Sequence, residues 1–111
     1  NESADLVKCG QVTYAVRDTQ INGIDVENGD IMAVIGSDLS VVGSDVNDVA
    51  KELAEKLVDE NSGVISIYYG QDIEKEKAME LSDYLENKYS DLDVNLNYGG
   101  QNVYYYIIAV E

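Results

Sequence analysis

The sequence predicts a two-layer α+β (or α/β) domain, in which two helices cover one face of a mixed β-sheet. Turn signals divide the first 43 residues into short strands, and two later stretches carry apolar residues at the 3–4 spacing of helices. Apolar strand-like runs lie between and after these stretches. The predicted order is β-β-β-β-α-β-α-β-β, with one parallel β-α-β crossover, in a single domain or subdomain of residues 1–111.

The first part of the chain reads as an antiparallel meander. Gln11–Arg17 alternates apolar and polar side chains, which is typical of a half-buried strand. Asn22 and Gly23 form a type I′ hairpin signal, because both residues tolerate positive φ. Further turns and strands are predicted at Asn28–Asp30, Ile31–Ile35, Gly36–Asp38 and Leu39–Val42.

Two helices are predicted after the meander. The first follows an N-cap at Ser44 or Asp45 and ends at Asn61–Gly63. The second is expected from a cap at Asp72 to about Tyr89. The apolar positions of the two helices are Val46, Val49, Ala50, Leu53, Ala54, Leu57 and Val58, and Ala78, Leu81, Leu85 and Tyr89.

Three more strands complete the predicted sheet. Val64–Tyr69 is almost continuously apolar, which indicates burial on both faces. Leu92–Asn97 alternates, so one of its faces is expected to be solvated, and the strand–helix–strand order implies a parallel, right-handed crossover. Val103–Val110 is apolar on both sides.

The predicted strands have more apolar surface than two helices can bury, because two helices cover only one face of the sheet. Either the meander folds over the second face of the sheet, or that face receives a neighbour. All nine aromatic residues are tyrosines, and Tyr is enriched at interfaces because its ring is apolar and its hydroxyl polar. Tyrosines that line the rim of the core are the alternative.

Composition excludes several classes of function. Twenty-two acidic residues against seven basic ones give a net charge of −15, which disfavours nucleic acid and anionic membrane surfaces as partners. No run approaches the ~20 apolar residues that cross a bilayer. A single cysteine, Cys9, is typical of a reducing compartment, so we expect a cytoplasmic protein. Because the chain contains no histidine, nucleophile–His pairs and ordinary zinc sites are ruled out, and we expect no catalytic set, cofactor or metal in this segment.

Two segments are candidate binding sites. Arg17 is the only arginine and precedes Asp18 and Thr19; its guanidinium suits a carboxylate or phosphate, the alternative being a local pair with Asp18. The second segment runs from Tyr98 to Gln101. The backbone amides of its Gly99 and Gly100 suit an anion, the alternative being a tight connection between two strands. Tyr104 and Tyr106, on one side of the last strand, complete the candidate ligand- or partner-binding residues.

These segments resemble the C-terminal region of the fatty acid kinase FakA family of dihydroxyacetone-kinase-like proteins. The resemblance extends from Gly10 to Glu111. It rests on Val12–Thr19, Gly23, Gly29–Asp30, Tyr69–Gly70, Gly99–Gly100–Gln101 and Tyr104–Tyr105–Tyr106. Tyr98 and Asn102 stand where the family pattern has His and Pro, so no role of an imidazole carries over to this chain.

The resemblance implies a bacterial protein of phospholipid synthesis that phosphorylates a fatty acid held by a DegV-like carrier protein. ATP and magnesium would bind in an N-terminal domain outside this chain. The C-terminal region would share the DegV-type architecture and engage the carrier. We therefore expect a non-catalytic module, excised from a larger kinase-type protein, that docks the carrier and packs on the remainder of its own chain. A small-ligand domain that senses fatty acid or acyl-phosphate is the alternative, and a homodimer is left open.

Overall fold

A computed structural model describes residues 7–111 and shows ten elements in this range. They are β1 (Lys8–Tyr14), β2 (Thr19–Ile21), β3 (Ile24–Val26), β4 (Ile31–Ile35), β5 (Asp38–Gly43), α1 (Val46–Leu57), β6 (Val64–Tyr69), α2 (Lys75–Lys88), β7 (Asp93–Tyr98) and β8 (Tyr106–Val110).

Six strands form one mixed sheet in the order β5-β4-β1-β8-β6-β7. All neighbours are antiparallel except β6 and β7, which are parallel and connected through α2. The predicted fold class is thereby confirmed. Five strands precede the first helix instead of four, because the two arms of the Asn22-Gly23 hairpin form a separate two-stranded sheet. Asn22 and Gly23 have φ of 52° and 80°, as a type I′ turn requires.

Several predicted boundaries were wrong. β1 begins at Lys8 rather than Gln11, since Lys8 pairs with Val110 on the neighbouring strand β8, and it ends at Tyr14 rather than Arg17. α2 begins at Lys75, because the amide of Ile73 donates to the Gly70 carbonyl and holds a turn where the helix was expected. β8 begins at Tyr106 rather than Val103, and the preceding residues form a loop.

The main core lies between the sheet and the two helices. Asp45, one of the two predicted cap positions, is the N-cap of α1. Its carboxylate accepts a hydrogen bond from the amide of Asp48. The side chains of this layer are buried, and the largest of them are Leu53, Leu57, Ile65, Ile67, Leu81, Leu85, Tyr106 and Ile108. Neither of the helices formed by residues 7–111 has the length and apolarity that a membrane crossing needs.

The β2–β3 hairpin covers part of the second face of the sheet. Ala15, Val26, Met32 and Leu39 form a small second core beneath it. Its tip is fixed to β5, since the amide of Leu39 donates to Asn22 Oδ1 at 2.9 Å. Of the two predicted alternatives, the first holds in part: the β2–β3 hairpin of the meander covers the second face at β4 and β5 only. The predicted two-sided burial of β6 was wrong, because Ile65 and Ile67 are buried on the helix side while the residues between and beside them are half-buried or exposed.

Candidate partner-binding surface

One end of the sheet gathers most of the predicted site residues. β1, β6 and β7 run in the same direction, so their carboxyl ends lie together, and both helices begin at this end. The loop of residues 99–105 crosses it before β8 begins. Tyr68, Tyr98, Val103 and Tyr104 are large exposed side chains in and beside this loop, and we call them the tyrosine patch. Val16, exposed after β1 at the same end, is not part of it.

The tyrosine patch is exposed well beyond the ordinary rim of a core. Tyr98 is 64% exposed, Val103 54%, Tyr104 41% and Tyr68 38%. The ring of Tyr98 also packs against that of Tyr69, with centroids 5.3 Å apart. Because Tyr98 pairs with Tyr69, which packs against the main core, it lies on the helix face of the sheet, whereas Tyr68 lies on the opposite face. The patch therefore wraps around this end of the sheet.

Hydrogen bonds hold the loop beneath the patch. The amides of Gly99 and Gly100 both donate to the Tyr69 carbonyl, at 2.8 and 3.2 Å. Gln101 Nε2 donates to the Tyr68 carbonyl at 3.0 Å, and the Gln101 carbonyl accepts from the amide of Gln71 at 3.1 Å. The two glycine amides are therefore engaged within the chain, as a tight connection between strands requires, and are not directed at an anion.

Gly70 lets this loop approach the end of β6. A Cβ atom built at Gly70 would lie 2.4 Å from the Tyr104 carbonyl oxygen and 2.7 Å from that of Gln101. Both distances are shorter than a side chain tolerates, and both partners are backbone atoms. Only glycine therefore fits here, and the loop position depends on it.

Arg17 and Asp18 lie between β1 and β2, at the same end of the sheet, and Thr19 is the first residue of β2; all three are exposed. Asp18 Oδ1 accepts from the amide of Asn28 at 2.8 Å and closes the base of the hairpin. Arg17 belongs to neither of the ion pairs formed within residues 7–111, which are Lys8–Asp59 and Lys88–Glu55. A local Arg17–Asp18 pair is thus not formed, and the arginine is presented outward. Arg17 follows β1 and Tyr98 is the last residue of β7. These two strands are three positions apart in the sheet, which is roughly 14 Å.

Tyr106 lies inside the molecule rather than on this surface. It has no exposed area, and its hydroxyl donates to Asn47 Oδ1 at 2.7 Å. The apolar alternation of the last strand did not distinguish Tyr104 from Tyr106, because the strand begins only after Tyr105. Sequence reasoning also omitted Tyr68 and Val103 from the site: Tyr68 was placed in a strand buried on both faces, and Val103 in the last strand.

The opposite end of the molecule carries an acidic groove. A cavity of about 490 Å³ lies between segments 58–62 and 88–92, where both helices end. The Lys8 ammonium bonded to the Asp59 carboxylate lowers the pKa of Asp59, and the Glu55 carboxylate raises the pKa of Lys88. No cluster of three or more residues able to hold a metal ion occurs within residues 7–111.

Comparison with known proteins identifies the class of this domain. The family model of the C-terminal domain of FakA-like fatty acid kinase proteins matches residues 1–111. Protein YloV of Bacillus subtilis is 36% identical over 105 residues, which cover 95% of this chain and 19% of the relative. An uncharacterized protein of Staphylococcus epidermidis is 34% identical over 111 residues, covering 100% of this chain and 20% of the relative.

An uncharacterized protein of Staphylococcus aureus strain USA300 is 33% identical over 110 residues, covering 99% of this chain and 20% of the relative. The chain belongs to the FakA-like C-terminal family of fatty acid kinase proteins. It spans about a fifth of the length of the curated relatives it matches.

Proposed function

We propose that this chain is the non-catalytic C-terminal module of a cytoplasmic fatty-acid-kinase-type protein. It docks a DegV-like fatty-acid carrier and acts as a scaffold for the kinase. The phosphoryl transfer, with its ATP and magnesium, belongs to an N-terminal part of the full-length protein. The observation that carries the docking proposal is the tyrosine patch, four large exposed side chains at one end of the sheet.

The patch has the chemistry of a protein-binding surface. Tyrosine provides large apolar contact area and a polar hydroxyl, and it loses little side-chain entropy on binding. The underlying loop is held by hydrogen bonds to both Tyr68 and Tyr69. A surface that is already ordered binds more tightly, because association need not pay for ordering the loop.

Charge supports a basic partner surface. The chain carries a net charge of −15, and a field of this sign attracts a positively charged patch on the carrier over about a Debye length. Such attraction raises the association rate and weakens with salt. Arg17, exposed at the same end, adds a single fork of donors for a carboxylate on the partner.

Alanine variants test the docking site. We expect Tyr98→Ala combined with Tyr104→Ala to weaken carrier binding at least about tenfold, as loss of buried aromatic anchors does at other interfaces. Met79→Ala is the matched control, because Met79 is 44% exposed but lies on α2. Binding is measured by calorimetry, with circular dichroism to verify folding. Equal affinity of the double variant and the control would reject the patch as the docking site.

The alternative function, a sensor of fatty acid or acyl-phosphate, receives no support from residues 7–111. The space between sheet and helices is filled by buried side chains. The glycine amides proposed to hold an anion bond to the Tyr69 carbonyl. The cavity at the other end is bordered by three carboxylates, Asp59, Glu60 and Asp91, against one cation, Lys88, and this balance disfavours an anionic ligand.

A further inference from the structure

Part of the second face of the sheet, which the hairpin leaves uncovered, forms an uncharged surface. Two rows of side chains run across four neighbouring strands β1, β8, β6 and β7 in direct register, and we call them the open face. The first row is Cys9, Ala109, Ser66 and Asn95, and the second is Gln11, Ile107, Tyr68 and Asn97. The residues between them, such as Gly10, Ile67 and Ile108, face the helices and are buried.

The open face lacks charge in a chain that is rich in it. Charged residues make up 26% of the sequence, yet none of the eight residues in the two rows is charged. Asp93, at the start of edge strand β7, lies on the same face beyond the first row and carries a charge. Ala109, Ser66, Gln11 and Ile107 are only half-buried, and Cys9 is exposed. Surfaces that stay covered by another protein segment are depleted in charge in this way, while uncharged polar residues such as Ser66, Asn95 and Asn97 remain compatible with burial when they are hydrogen-bonded.

Three kinds of partner are compatible with such a surface: a second copy of the chain, the carrier, and another part of the same polypeptide. The observations favour the last. A second copy would bring two chains of charge −15 together, which repel each other. The carrier is a partner that binds and leaves, and a surface without charge gives it no steering. The remaining occupant is the preceding part of the same polypeptide: the matched family is a C-terminal one, and about four-fifths of each relative lies outside the matched region.

We propose that the open face packs against the segment that precedes this chain in the full-length protein. This proposal rests on the chain being the C-terminal module described above, but it does not rest on the carrier. It assigns the two surfaces separate tasks. The open face, with Tyr68, fixes the module to the kinase, and the other residues of the tyrosine patch, Tyr98, Val103 and Tyr104, stay available to the carrier.

Cys9 provides a natural probe, because it is exposed in the isolated fold and lies in the first row of the open face. The experiment measures the alkylation rate of Cys9 in the folded full-length protein, read by mass spectrometry of the Cys9 peptide. Ser37→Cys, in the exposed turn between β4 and β5, is the internal reference. We expect Cys9 to react at least about tenfold more slowly than the reference, and both to react alike in urea.

Comparable rates for Cys9 and the reference in the folded protein would overturn the proposal. Repeating the measurement with added carrier separates it from the docking function. A Cys9 that becomes protected only when carrier is present would assign the open face to the carrier and overturn the proposal while supporting docking. Protection that appears only at high protein concentration would assign the face to a second copy and equally overturn it.

Discussion

Tyr106 shows at the scale of one residue how a buried polar group joins three elements. Its hydroxyl donates to Asn47 Oδ1 at 2.7 Å, and Asn47 Nδ2 donates to the Lys77 carbonyl at 3.0 Å. This chain of bonds connects β8, α1 and α2 across the core. The sequence could not predict it: Asn47 lies beside the apolar stripe of α1, and its partners come from residues 30 and 59 positions away.

Removing the Tyr106 hydroxyl should destabilise the domain. We expect Tyr106→Phe to lower the free energy of unfolding by about 1–3 kcal/mol, because Asn47 Oδ1 is left buried without its donor. Tyr104→Phe, at an exposed position, should change it by less than about 0.5 kcal/mol. Urea denaturation measures both. Equal stabilities of the two variants would show that the buried hydrogen bond contributes nothing.

Ionisation of the Tyr106 hydroxyl should make the domain less stable at alkaline pH. Burial raises the pKa of Tyr106 well above its ordinary value of 10.0. The folded state therefore favours the neutral phenol. The stabilisation that this hydroxyl contributes is complete below about pH 10 and is lost as the pH rises above that value. Stability should fall above about pH 10 in the parent chain and fall less steeply in Tyr106→Phe. Identical slopes in the two proteins would contradict this assignment.

At the scale of elements, local signals were read correctly and boundaries set by distant contacts were not. Asn22-Gly23 and Asp45 act within a few residues of themselves, so the hairpin turn and the first N-cap followed from the sequence. The start of α2 did not, because Asp72 precedes a turn closed onto Gly70. The start of β8 depends likewise on the loop around Gly70, which only the folded chain reveals.

Gly70 should be the least replaceable glycine of this loop. We expect Gly70→Ala to lower the free energy of unfolding by roughly 1–3 kcal/mol, because its methyl group would displace the backbone of the 99–105 loop. Gly63→Ala is the matched control: its Cβ would meet nothing closer than the Glu111 carbonyl oxygen at 3.9 Å. Thermal denaturation of both variants gives the comparison. A Gly70 variant as stable as the Gly63 variant would refute the steric argument.

At the scale of the whole molecule, the candidate site was predictable only in part. The sequence placed Gly99 and Gly100 at the end of a strand, and the structure shows them, with Tyr104, in the loop between β7 and β8. Nothing in the sequence indicated that Tyr106 is buried, or that Tyr68 and Val103 are exposed. Exposure on the second face depends on which strands the hairpin covers, and its tip is held on β5 by the hydrogen bond from the Leu39 amide to Asn22, 17 positions away.

Net charge should make the isolated domain more stable in salt. A chain of charge −15 repels itself in the folded state, and salt screens that repulsion more than it weakens two exposed ion pairs. We expect the melting temperature to rise by a few degrees from about 0.02 to 0.3 M NaCl. A variant with Glu80→Gln, Asp83→Asn and Glu86→Gln, all exposed on α2, should respond less. A melting temperature independent of salt would contradict the prediction.

Calorimetric titration of this chain with the fatty-acid-loaded DegV-like carrier of the same organism, at low and at moderate salt, tests the central claim most directly. We expect saturable binding that weakens as salt increases, because the acidic module would meet a basic surface on the carrier. A well-folded chain that does not bind at either salt concentration would contradict it and would place the docking surface elsewhere in the full-length protein.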